Sequence, residues 1–130
     1  MYFNMKKYII LKDLEVYQLA RRLSEIGWNI YKILDWQDKK IMGEQFIRST
    51  DSIGANIAEG YGRFHYLDKI KFFYNSRASL YESSFHWLEL LQEREKITSK
   101  VGSHYAEIAE LLSLKLNNFI NSTYASKQQQ

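Results

Sequence analysis

With 130 residues the chain can bury one core but hardly two, so a single domain over residues 1–130 is expected. It has no Cys and no Pro, which excludes disulfides and thiolate metal sites, and no apolar run approaches the roughly 20 residues of a membrane helix. Its 18 Lys and Arg against 15 Asp and Glu leave a formal charge of +3, modestly basic and in itself a weak pointer to polyanions.

Four helical stretches follow in chain order. The first spans about residues 12–34, with Leu14, Tyr17, Leu23, Ile26, Ile30, Ile33 and Leu34 on one side and Asp13 suited to an N-cap or first-turn place. The second begins near Asp38 and stops around Gly60 to Gly62, with Phe46, Thr50, Ile53 and Ile57 at helical spacing. The third starts near Tyr66 or Leu67 and runs to about Arg94, with Phe73, Leu80, Trp87 and Leu91 sharing a stripe. The fourth starts after Thr98 or Ser99 and reaches about Tyr124, carrying Ile108, Leu112, Leu116, Phe119 and Ile120. Residues 1–11 lack a signal-peptide pattern, and the ends, about 1–11 and 125–130, are expected to fray. Short connections favour antiparallel neighbours, so the pattern predicts an all-α, up-down-up-down four-helix bundle.

Within the second stretch Ser52, Asn56 and Glu59 are spaced i, i+4, i+7 beside Ile53 and Ile57. Such a face is either a polar seam between packed helices or a solvated surface. Arg77 falls on the Phe73–Leu80 stripe, so partial burial and a carboxylate partner are expected, with Glu59 the first choice and Glu82 the second.

Aromatic residues are dense from Tyr61 to Phe85, and Tyr74 and Tyr81 fall off the buried line. A second apolar stripe on one helix points to a second packing partner, with base stacking as the alternative. Candidate phosphate contacts are Arg21, Arg22, Lys39, Lys40, Arg63, Lys69 and Lys71, and the interleaving of Arg63, Phe64, His65, Tyr66, Lys69 and Lys71 makes the best local case. The alternative is that these cations simply dot the wet faces of the helices.

No catalytic constellation stands out. His65, His86 and His104 are scattered, and Gly60-Tyr61-Gly62 lacks the strand and Lys of a phosphate loop. Neither an enzyme nor a cofactor nor a metal site is expected, although triads assemble in space rather than in sequence.

Three motifs carry a family resemblance. Ser52-Ile53-x-Ala55-Asn56-Ile57-Ala58-Glu59-Gly60, followed by x-Gly62-Arg63, resembles the signature of the four-helix-bundle family of 23S rRNA intervening-sequence proteins. Arg77-Ala78-Ser79-Leu80-Tyr81-Glu82 resembles the family's Arg-Gly-Ser-x-x-Glu, with Ala78 where Gly is usual, and Leu14-Glu15-Val16-Tyr17-Gln18-Leu19-Ala20 is similar to its Leu-x-Val-Trp-x-x-Ala. The likeness covers about residues 14–120, and Gly54 stands where the family commonly has Pro. The resemblance implies a bacterial cytoplasmic protein and a homo-oligomer, a ring-shaped pentamer in known members. The family includes the accessory variability proteins of diversity-generating retroelements, which partner a reverse transcriptase and its template RNA. The function it suggests is a non-enzymatic, oligomeric accessory protein binding RNA or DNA through phosphates; the alternative is a protein–protein scaffold that touches no nucleic acid.

Overall fold

The hydrophobic periods become four long helices in a computed structural model that describes residues 8–127. A 3₁₀ turn, Leu11–Asp13, leads into α1, Glu15–Ile33. Helix α2 covers residues 36–61, widening into a π segment at Lys39–Gly43. Helix α3 covers residues 66–93 with a second π segment at Glu82–Trp87, and α4 is Ser99–Lys127. The described residues contain no strand.

Local chemistry sets the ends. Asp35 is extended at φ −70° and ψ 171°, and its carboxylate accepts the Asp38 N–H at 2.8 Å, so α2 opens at Trp36, ahead of the expected Asp38. Asp13 does not cap α1: it lies in the 3₁₀ turn, and Leu14 occupies the cap position with no side-chain bond. Leu34 leaves α1 with extended backbone and turns into the core, while Ile33, expected in the buried stripe, is 67% exposed. After α3 the chain reverses through Glu95 at φ 56°; the Glu95 N–H donates to the Gln92 carbonyl and the Lys96 N–H to the Leu91 carbonyl. That pair of bonds is the usual left-handed helix terminator. Of the two ends expected to fray, residues 1–7 and 128–130 lie outside the described residues, and 125–127 are the last turn of α4.

Between α1 and α2, Gly54 faces Ala20 and Gly27 faces Thr50, so those two helices run antiparallel. Between α2 and α3, the Ser76 hydroxyl donates to the Ile53 carbonyl at 2.8 Å and the Ser79 hydroxyl to Ser52 at 3.0 Å. Between α3 and α4, Phe73 meets Phe119 edge to face at 4.9 Å, and Arg77 donates to Asn117 at 3.2 Å. Helix α4 returns to α1, where Lys115 approaches Glu15 at 3.5 Å. The architecture is therefore the expected antiparallel up-down-up-down bundle. Its centre is apolar: Leu23, Ile53, Ile57, Leu80, Leu91, Leu112 and Leu116 are fully buried. Each such side chain contributes about 1.5–3 kcal/mol relative to exposure. At Gly60 the helices touch backbone to ring, since a Cβ there would lie 2.7 Å from the Phe73 ring.

The π segment in α3 changes which residues face inward. A 3.6-residue period carried on from Phe73 and Leu80 places Trp87 in the core. The wider turn instead puts Leu88 there, together with Ser83 and Ser84, and leaves Trp87 half-buried.

Candidate nucleic-acid interface

Of the residues expected in a polar seam, Ser52 bonds across α2–α3, to Ser79, and the others find partners elsewhere. Asn56 donates from Nδ2 to the Ser52 carbonyl and to the Ser52 hydroxyl, both at 2.9 Å, and Ser79 closes the group from α3. Small hydroxyls serve here because α2 and α3 approach closely.

Glu59 and Arg77 do not pair. Glu59 bonds Arg63 at 2.9 Å, four residues on and just past the end of α2, with both side chains about half exposed. Glu82 is not the partner either: its carboxylate accepts the Trp87 indole N–H at 2.8 Å. Arg77 is half-buried and turned towards α4, bonded to Asn117 and stacked 4.8 Å from the Tyr74 ring centre. Its charge stays partly hydrated, so an amide oxygen and a ring face suffice where a fully buried guanidinium needs a carboxylate.

The candidate phosphate contacts fall into three places. Arg21 donates to the Tyr17 hydroxyl at 2.9 Å and, with Arg22, lines an open groove of about 680 Å³ between α1 and α2. Trp28, Asp51 and Glu25 share that groove, so two carboxylates face the two arginines there. Lys39 and Lys40 lie over Tyr31 and Trp36, at 5.1 and 6.0 Å, where α2 begins. Arg63 and Lys69 flank the α2–α3 turn, Arg63 stacked 4.9 Å from Phe72, and Lys71 is exposed on α3. Lys69 donates to the Tyr61 carbonyl at 3.1 Å, at the negative end of α2, and burial lowers its pKa. The Tyr61 hydroxyl donates to the Ile9 carbonyl, and its pKa is raised by burial and then by Tyr8.

Below this turn a smaller cleft of about 260 Å³ opens between the end of α2, the start of α3 and the end of α4. Along α3, Tyr74, Tyr81 and Phe85 are 37%, 53% and 53% exposed, with Ala78 also exposed between them. Their i, i+7, i+11 spacing makes one continuous outward stripe. Among the described residues no cluster of His, Cys, Asp and Glu is placed to hold a metal, and no helix is long and apolar enough to cross a membrane.

The sequence reading missed Tyr105. It is fully buried and shares a 2.8 Å hydrogen bond with Thr50. Its place three residues before Ile108 and seven before Leu112 was the signal that could have found it.

Fold and surface together define an all-α four-helix bundle with a polar α2–α3 seam and dispersed, mostly exposed cations. The family described as 23S rRNA-intervening sequence protein matches residues 12–118, and the chain belongs to that family. Among solved structures, it is similar to a protein of unknown function from the S23 ribosomal protein family of Bacteroides thetaiotaomicron. The two are 28% identical with a TM-score of 0.76, over 82% of this chain and 96% of the other. No curated protein matches the chain. Neither the family description nor that of the solved structure names an enzymatic activity.

Proposed function

We propose that this chain is a non-catalytic cytoplasmic accessory protein that self-associates and holds RNA or DNA by its phosphates. The observation that carries the reading is that Arg21, Arg22, Lys69 and Lys71 make no ion pair with any described carboxylate. Two of them are nevertheless held in place, Arg21 by a phenol and Lys69 by a backbone carbonyl. Lys69 and Lys71 keep their attraction for a polyanion, and Glu25 and Asp51 in the same groove offset part of that of Arg21 and Arg22. The family's description names an intervening sequence of 23S rRNA, which makes structured RNA the first polyanion to try. Self-association multiplies the same surface by symmetry, so a weak field per subunit becomes a strong one per assembly. The test is a gel-shift titration in dilute buffer with structured RNA, single-stranded DNA and duplex DNA. A shift at micromolar protein supports the reading, and no shift with any of the three removes it.

The α3 stripe favours a second reading, a protein scaffold. Tyr74, Tyr81 and Phe85 present an apolar ridge that a second copy or another protein can cover. Light scattering decides whether the chain self-associates: a mass well above 15.5 kDa supports it, and a monomer at micromolar concentration rejects it.

A further inference from the structure

The cleft at the α2–α3 turn has the chemistry of a site for one flat ring beside an anion. Its floor is the edge-to-face pair Phe73 and Phe119. Lys69 stands in its wall, and Ser122, Thr123 and Ser126 line it from α4. Phe64 lies at its mouth, 91% exposed on the short α2–α3 connector. Its ring meets His65 edge to face at 5.3 Å and otherwise stands in water, where it can stack on an arriving ring. At about 260 Å³ the cleft is smaller than the roughly 300–1,000 Å³ of sites for drug-sized ligands, which suits a single ring system.

We infer that this cleft takes one unstacked base of a single-stranded nucleic acid, with Phe64 stacking on it and Lys69 meeting the adjoining phosphate. The inference rests on the nucleic-acid reading above and adds to it the strand type and the place where a base is held. Every base has a π-face, so the site is tolerant of sequence. The α4 hydroxyls supply hydrogen bonds to ring edges: Thr123 and Ser126 spend their protons on the Phe119 and Ser122 carbonyls and so offer acceptor lone pairs. Lys69 suits the phosphate. Among the described residues it is the one cation lining the cleft, and an arriving anion offsets the partial burial of its charge. A duplex keeps its bases stacked and paired, so it can offer this cleft no ring without first opening.

The experiment is fluorescence anisotropy with a short labelled oligothymidylate and with a strand of equal length whose sugars carry no bases. The intact strand is expected to bind about 5- to 150-fold more tightly, the effect of stacking one base. Phe64→Ala removes the stacking ring from an exposed position, and Ser122→Trp fills the cleft while leaving every cation in place. Both are expected to abolish the preference and leave binding of the base-free strand unchanged. Equal affinity for the two strands overturns the inference while the phosphate reading stands. A preference that survives both substitutions also overturns it, since the base is then held elsewhere. Binding of neither strand overturns the inference, and the nucleic-acid reading falls with it only when structured RNA and duplex DNA also fail to shift.

Discussion

Thr50 and Tyr105 meet hydroxyl to hydroxyl at 2.8 Å in the middle of the bundle, both wholly out of solvent. Helices α2 and α4 lie across the bundle from each other, so this bond ties the two elements that share no long seam. Tyr105→Phe leaves the Thr50 hydroxyl without its partner and is expected to cost about 1–3 kcal/mol. Adding Thr50→Val removes the stranded hydroxyl and should recover part of that loss. Urea unfolding of the two single variants and the double variant measures the coupling, and strict additivity would contradict it.

The same tyrosine makes stability depend on alkaline pH. Burial is the main cause that pushes the Tyr105 pKa up from 10.0 to about 12, against the opposing hydrogen bonds of Ser83 and Thr50. The folded state holds the proton more tightly than the unfolded chain. Its contribution is complete below pH 10 and falls away as pH rises through 10 towards 12. Two pKa units correspond to about 2–3 kcal/mol. Denaturation curves across that window should show the decline in the parent and a shallower one in Tyr105→Phe.

Arg77→Ala should cost about 1–2 kcal/mol, the scale of a charge-assisted hydrogen bond to Asn117 plus the stacking of its guanidinium on Tyr74. A buried ion pair with Glu59 would have made it about 3–5 kcal/mol. Glu59→Gln breaks only the exposed pair with Arg63 and should change stability by about 0–1 kcal/mol. Chemical denaturation of both variants separates the observed arrangement from the expected one.

Glu95→Gly should stabilise the fold by about 0.5–1 kcal/mol. A left-handed residue with a Cβ is strained by about 1–2 kcal/mol, and the entropy of Gly in the unfolded chain takes back part of the relief. Thermal melting checks the sign, and a lower midpoint contradicts it.

What the sequence made legible follows the range of the forces involved. The four helices and their antiparallel order were readable because buried residues such as Ile53 and Ile57, or Leu112 and Leu116, recur with a local period and the connections are short. Ser52 and Asn56 were readable as a group because both sit on one helix face. Arg77 was misassigned because its position lies between the faces towards α2 and α4, and only packing decides which neighbour it meets. Trp87 packs against the core only half-buried because the π segment brings Leu88 inward, while Leu91 on the same expected stripe is fully buried. The cations were nameable, but their separation among the groove, the start of α2 and the α2–α3 turn is a property of tertiary placement.

The most direct test of the proposed function is the salt dependence of RNA affinity in the parent and in an Arg22→Glu, Lys71→Glu variant, two exposed cations with no ion pair. The account predicts a linear fall of log K with log salt, and a slope shallower by roughly 0.7–0.9 for each phosphate that is no longer neutralised. Unchanged helical content and assembly should accompany that change. An affinity that does not respond to salt, or a slope identical in parent and variant, would contradict phosphate binding by these residues.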